Sequence, residues 1–304
     1  MKPCERVNDR SNHLPRLEVH QSWWAMRGVG DDNGEWSLEE KIERIAAAGF
    51  DGILGRLPAP DEAKLWRRLL DKYRLNFGIE AFPAERDEFA LFLKQAKEFG
   101  VSYVNAQVMD SYIIGDAAVM RLRGLMEEAA EAEIPFFVET HRGRITQDLL
   151  RTAEYVQALP NLRLTIDFSH YVLAGEMIRP DEKAEPYLQM LLERTSCIHG
   201  RVSNGEQIQV DIGPHGEHPM TERFLGWWKT GMSHWLKEAS PGDILPFVCE
   251  LGPIPYAITR KSYTNPPEEE ISDRWEQTLL FKRLAEEAWN SVGTAGRSGP
   301  RGEN

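Results

Sequence analysis

Apolar residues arrive along this chain in two alternating rhythms. Short runs rich in β-branched and aromatic residues, bounded by Gly, Pro, Asn or Asp, read as strands. They are RLEVHQSW (16–23), FDGILGRL (50–57), LNFGIEAF (75–82) and VSYVNAQVM (101–109), then IPFFVETH (134–141), LRLTIDFS (162–169), TSCIHGRV (195–202) and ILPFVCEL (244–251). Between them apolar positions recur at helical spacing. Leu38, Ile42 and Ile45 follow Ser37, which with Glu40 forms the S-x-x-E box that opens a helix. Phe89, Phe92, Ala96 and Phe99 lead to Gly100, a helix stop. Further helices are predicted over 115–132, 146–158, 182–194, 221–238 and 271–290, with one more around Leu65, Leu69 and Leu70.

A repeated strand–helix order implies right-handed crossovers and a parallel sheet. With this many repeats the α/β class resolves most economically as a closed (β/α)8 TIM barrel. An open doubly wound sheet is the competitor, and it usually shows a Gly-rich phosphate turn after its first strand. Here that place holds WWAMRGVGDDNGEW, with glycines but no G-x-G-x-x-G leading into a helix. The expected organisation is a single barrel domain over 14–290, an N-terminal extension over 1–13 and a disordered Gly/Ser-rich tail over 291–304. Two long loops, 203–220 and 252–270, follow late strands, on the face where barrel enzymes build their sites.

Composition narrows the function classes. The 304 residues are 41% hydrophobic and 28% charged, with a net charge of −12, so non-specific binding to nucleic acid or an anionic membrane surface is disfavoured. Three cysteines, Cys4, Cys197 and Cys249, are too few and too odd in number for a disulfide framework, and fit a reducing compartment. The first residues show no apolar leader and no stretch has the length of a spanning helix, so a soluble cytoplasmic protein is expected.

The chemistry lies where the late strands stop. The fifth run ends on Glu139, the sixth on Asp167, the seventh carries His199 and the eighth Glu250. Any one alone reads as a solvated loop carboxylate or a hydrogen-bonded core histidine. Four in succession read as a site. Strand alternation puts Glu139 on a face with Phe137 and His141, and His199 with Cys197 and Arg201. If those faces point inward, three carboxylates and an imidazole meet at the barrel mouth. Carboxylates crowded there cannot all stay ionised without a cation, and mostly hard oxygen donors suit Mn²⁺, Mg²⁺ or Co²⁺ better than a structural zinc.

These residues bring the chain to a known family. With D-x-x-H at Asp167 and His170, and the segments ETHRGR and ELGPIPY, it resembles the xylose isomerase-like barrel superfamily, in its sugar phosphate isomerase/epimerase branch. The resemblance runs over most of the chain and is best from about Ile134 to Tyr256. It implies one divalent metal ion, Mn²⁺ foremost with Mg²⁺, Co²⁺ or Zn²⁺ as options, held by Glu139, Asp167, His199 and Glu250. It also implies His170 as a substrate contact, and an isomerase or epimerase working on a keto/hydroxy sugar through an enediolate, with Glu139 and Glu250 as the acid/base pair. The partner is then a small carbohydrate, not nucleic acid or membrane, and a homodimer or homotetramer is the default assembly.

Arg201 reads either as an anion-binding group or as a structural ion pair. His141 reads as a partner orienting Glu139 or as a substrate contact. His20, Trp23 and Trp24, near the end of the first strand, are further substrate-binding candidates, although packing explains a Trp pair nearly as well. Trp227 and Trp228 fall in a helix, where packing is the better reading, and His215 and His218 read as solvated loop residues. Ketose 3-epimerases carry Asn-Arg and a further Glu after the fifth-strand Glu, and Gly-Asp after the seventh-strand His; here the segments are ETHRGR and HGRVSN. The alternatives are therefore a dehydratase or lyase on a keto-sugar or keto-glycoside through the same enolate, an apurinic-site endonuclease-like phosphodiesterase, and a non-catalytic sugar-binding barrel. The endonucleases draw extra histidines from earlier strands, and NFGIEAF and YVNAQVM contain none.

Overall fold

A computed structural model describes residues 5–260 and 269–295. Eight parallel strands form the barrel: β1 (Arg16–Ser22), β2 (Gly52–Gly55), β3 (Asn76–Ala81), β4 (Tyr103–Ala106), β5 (Phe136–Glu139), β6 (Leu164–Ile166), β7 (Thr195–Gly200) and β8 (Asp243–Cys249). Each pairs with the next, and β8 returns to β1 through six residue pairs from Ile244↔Arg16 to Cys249↔Gln21, so the sheet closes. The competing open sheet is thereby excluded. The helices α1 (Leu38–Ala47), α2 (Ala63–Tyr73), α3 (Arg86–Phe99), α4 (Gly115–Ala132), α5 (Leu149–Ala158), α6 (Ser169–Ala174), α7 (Glu185–Leu192), α8 (Pro219–Lys237) and α9 (Arg274–Ala295) cover it.

Local chemistry sets these boundaries. Ser37 caps α1 by accepting from the Glu40 N–H while the Glu40 carboxylate takes the Ser37 N–H, completing the predicted box. Gly100 ends α3 at φ 86°, a left-handed conformation that glycine enters without penalty. After β1 the chain makes a 3₁₀ turn (Trp24–Met26) and a short hairpin, not a phosphate-binding turn. The apolar faces of the helices pack outside the strands; Trp227 stacks edge-on to Phe168 at 5.5 Å and Trp228 to Phe247 at 5.1 Å, the packing role expected of them. Burying each such side chain stabilises the fold by roughly 1.5–3 kcal/mol.

The barrel interior is closed below the mouth by Leu54, Tyr103, Phe137, Cys197 and Val248. Gly78 is needed here because a Cβ on it would lie 2.3 Å from the Tyr103 ring. At the bottom, Val7 and Asn8 pair antiparallel with Ile244 and Asp243. Arg6 packs 4.8 Å over Trp235, and Glu5 receives Arg163 Nε at 2.8 Å, so part of the expected extension is a strap built into the barrel floor.

Two other boundaries shift. The sixth run stops at Ile166 because the Asp167 carboxylate accepts from both the Ser169 N–H and hydroxyl, turning the chain directly into the unpredicted α6. Helix α9 continues to Ala295, so 291–295, the start of the expected tail, are helical, while 296–304 lie outside the described residues. Among the described residues no helix is long and apolar enough to cross a membrane.

Candidate metal centre and active site

Parity and strand length deliver the late-strand residues to one place. Glu139 is the last residue of β5, Asp167 and Glu250 each follow the last residue of β6 and β8, and His199 is the penultimate residue of β7. All four are buried, and one ligand atom from each lies within 4.8 Å of the others. His199 Nδ1 stands 2.9 Å from Glu250 Oε2 and 3.7 Å from Glu139 Oε1. Asn105 Nδ2 donates to Glu139 Oε2 at 2.7 Å, and Gln107 Nε2 donates to it at 3.2 Å. The Asp167 N–H donates to the Thr140 hydroxyl at 2.8 Å, fixing the turn that carries this carboxylate.

Arg201 forms the ion pair that was one of its two readings. Its Nη2 donates to Glu250 Oε2, and its Nε lies 3.3 Å from Asp167 Oδ2. Its Nη1 is buried without a hydrogen-bond partner. His170 is buried with Nε2 3.6 Å from Asp167 Oδ2, while its Nδ1 accepts from Arg142 Nη1 at 2.6 Å. His141 packs against His170 with ring centroids 3.7 Å apart and the rings tilted by 41°, and is fixed through Nδ1 to the Arg142 carbonyl at 2.5 Å.

Burial and neighbouring charges shift the groups of the site. Burial, then the charges of Glu250 and Glu139, pushes Glu80 up to about 8. Burial likewise raises Glu139 to about 7, with Glu250 and Asp167 adding to the rise against the pull of His199, and raises Asp167. Burial would also raise Glu250, but His199 and Arg201 outweigh it and hold it at about 2. Burial opposes charge on His199, yet Glu250 and Glu139 lift it well above the ordinary histidine range. Burial drives His141 down to about 3 and lowers His170, whose neighbours are cationic.

A divalent cation fits this donor set. Asp167 Oδ2 and His199 Nε2 are buried with no hydrogen-bond partner, which leaves donor atoms for an ion to take. Three carboxylates and one imidazole are the donor types a hard or borderline divalent ion takes.

The remaining expectations divide. Trp23 and Trp24 line a cavity of about 470 Å³ beside the ends of β1–β3, together with Arg27, Lys41, Arg56, Trp66 and Glu80. Trp24 meets Tyr256 edge-on at 5.0 Å, and Arg201 lies 4.8 Å over the Tyr256 ring. The structure does not bring His20 to the mouth. It pairs in register with Val248, one inward position beneath Glu250, and bonds to the Tyr103 hydroxyl at 3.2 Å and Glu18 at 3.4 Å. His218 caps α8 through Nδ1, and His215 is exposed.

Several neighbours of the site were not assigned from sequence. Glu80, Asn105 and Gln107 come from β3, β4 and the residue after it, at the same strand-end positions that flagged the later four. Arg142, Arg144 and Tyr256 lay inside the quoted ETHRGR and ELGPIPY segments without a role.

The closed (β/α)8 barrel with a carboxylate–histidine cluster at its C-terminal mouth defines the class of fold on which many enzymes place their chemistry. Residues 42–207 match the family model of the xylose isomerase-like TIM barrel, and the chain belongs to that family. Among solved structures, a D-tagatose 3-epimerase-like protein aligns 99% of its length with 92% of this chain at 14% identity and a TM-score of 0.57. An L-ribulose 3-epimerase aligns 100% of its length with 95% of this chain, also at 14% identity, with a TM-score of 0.56. An AP endonuclease, family 2, from Brucella melitensis aligns 93% of its length with 78% of this chain at 15% identity and a TM-score of 0.52. Likenesses at this identity establish the fold. No curated protein matches the chain.

Proposed function

We propose that this protein is a divalent-metal-dependent isomerase or epimerase acting on a keto/hydroxy sugar or sugar derivative. The observation that carries the reading is the convergence of Glu139, Asp167, His199 and Glu250, with ligand atoms within 4.8 Å, at the mouth of a sugar-isomerase-family barrel. Those four residues would hold the ion, which when bound supplies Lewis acidity to a substrate carbonyl.

The chain's own groups handle the proton. Glu139 from β5 and Glu250 from the end of β8 meet at the mouth, where one carboxylate would take the proton beside the carbonyl and the other return one from across the substrate. Asn105 and Gln107 aim Glu139 by donating to the same oxygen. Because His170 Nδ1 accepts from Arg142, its Nε2 carries the hydrogen and presents a donor to a sugar hydroxyl or developing oxyanion. Trp23 and Trp24 offer aromatic faces to sugar C–H surfaces. The mouth positions on β3 and β4 hold Glu80 and Asn105, not histidine, and the net charge of −12 repels a phosphodiester backbone; both support a sugar over an abasic nucleic acid.

Glu80 favours elimination as a second reading. A carboxyl held at about 8 on the cavity wall is protonated at neutral pH, and can donate to a departing hydroxyl or alkoxide from the same enolate.

The test is solvent exchange. Metal-loaded protein incubated with keto-sugars and keto-glycosides in D₂O should place deuterium on the carbon beside the carbonyl, read by NMR, and Glu139→Gln should abolish this. Loaded protein that neither exchanges nor eliminates across the panel sinks the enzymatic reading. Glu250→Gln with full exchange removes that residue from the acid/base pair.

A further inference from the structure

The turn after β5 reads His141-Arg142-Gly143-Arg144, and Gly143 takes φ 74°, a left-handed conformation that reverses the chain between two arginines. Arg142 reaches one flank of the centre, donating to His170 Nδ1 at 2.6 Å and lying 5.3 Å over the Tyr256 ring. Arg144 reaches the other, donating through Nε to Gln107 Oε1 at 3.1 Å and lying 5.6 Å over Phe82. Gln107 is itself bonded to Glu139, and His170 faces Asp167, so the two guanidiniums straddle the candidate metal ligands.

Both arginines are half-buried, and among the described residues neither makes an ion pair. Their partners are a neutral imidazole, an amide oxygen and two aromatic rings, which orient a guanidinium without cancelling its charge. This is unlike Arg201, which two carboxylates engage, or Arg86, which meets Glu127 and Glu128 on the surface. The adjacent cavity of about 470 Å³ carries Arg27, Lys41 and Arg56 on its wall, but Glu35, Glu62 and Glu80 line it too, with Lys41 paired to Glu35 and Arg56 to Glu80, so the uncompensated guanidiniums are the two after β5. Arg56 lies 5.0 Å from the Phe82 ring that Arg144 also covers. Keeping guanidiniums oriented but uncompensated beside a reaction centre suits an anion that arrives with the substrate.

We propose that the sugar taken by this site carries an anionic group, a carboxylate or a phosphate, bound by Arg142 and Arg144. The proposal rests on the sugar reading above and adds the class of substrate. The arginines supply forked N–H donors, the geometry that matches either oxyanion in a bidentate fashion.

Calorimetric binding to the full chain, kept metal-free with chelator and at matched ionic strength, tests it without turnover. The probes are D-glucuronate, D-galacturonate and D-glucose 6-phosphate, against neutral D-glucose and D-galactose. At least one anionic sugar should bind about tenfold more tightly than its neutral parent, the charged group bound telling carboxylate from phosphate. The double variant R142Q/R144Q should lose that preference, binding an anionic sugar no more tightly than its neutral parent. Arg142→Lys and Arg144→Lys, which keep the charge and lose the fork, should show intermediate losses with unchanged thermal unfolding. The proposal is overturned if no anionic sugar outbinds its parent, or if the double variant binds the anions as the unaltered protein does. Anion preference without exchange chemistry would instead defeat the proposed function alone, and turnover of neutral sugars without anion preference would defeat this inference alone.

Discussion

Replacing Glu80 by Gln should make the metal-free protein more stable at alkaline pH and leave it nearly unchanged at acid pH. The carboxyl sits on the cavity wall, with Arg56 Nε 3.7 Å away and the negative field of Glu250 and Glu139 behind it. Burial and that field move it from 4.5 to about 8, so the folded protein keeps a proton that the unfolded chain has already released. Its stabilising contribution is therefore complete below about pH 4.5 and is lost as pH rises toward 8. At about 1.4 kcal/mol per tenfold change in proton affinity, the full displacement amounts to roughly 5 kcal/mol. Water reaching the cavity wall and local relaxation reduce this to an expected ~2–4 kcal/mol. Gln keeps the shape and cannot ionise. Urea unfolding followed by tryptophan fluorescence, in chelator at several values between about pH 5 and pH 8.5, reads the difference between variant and parent. Taking the difference removes the opposing trend from His141 and His170, which stay neutral in the fold and must be protonated in the unfolded chain at low pH. A difference that stays constant across the window would refute the reasoning, because only a group titrating between the two states can give it a slope.

Other substitutions probe the same architecture. His199→Ala should release the bound divalent ion, seen as a fall from about one metal per chain in elemental mass spectrometry of protein purified without chelator. Arg201→Leu leaves Asp167 and Glu250 buried without their cation and should cost ~3–5 kcal/mol in the metal-free protein. Added Mn²⁺ should recover more of the thermal unfolding temperature in that variant than it adds to the parent. Gly78→Ala drives a methyl into the Tyr103 ring and should cost ~1–3 kcal/mol by urea unfolding, with Tyr103→Leu in the same chain restoring part of it.

The strand ends were legible because a two-residue period states which side chains share a face, and four late runs each placed a carboxylate or imidazole, the donor types a metal takes, on the inward one. Parity does not state height. His20 has the inward parity, yet the stagger of the closed sheet sets it level with Val248, below the mouth. Glu80 obeyed the same strand-end rule as Glu139, but a single Glu ending an apolar run is too ordinary to stand out before the barrel closes and sets it against the others. Arg142, Arg144 and Tyr256 belong to irregular turns, where no periodicity predicts direction. Their placement follows from the reversal at Gly143 and from Gln209, whose amide clasps both the N–H and the carbonyl of Gly252 and ties the loop after β7 to the loop carrying Tyr256. The early end of β6 could be seen only as a competition between ladder and side chain, which the Asp167 carboxylate wins.

The strap across the barrel floor also decides how the molecule can be handled. Glu5 to Asn8 are anchored to Arg163, Trp235 and the start of β8, at the opposite end of the strands from Glu139 and Glu250. A chip or resin holding the protein through a tag ahead of Glu5 is therefore attached behind the floor and leaves the mouth facing the solution. The same attachment loads β8, so detergents or surfaces that peel the strap away strain the strand that completes the ring of hydrogen bonds with β1.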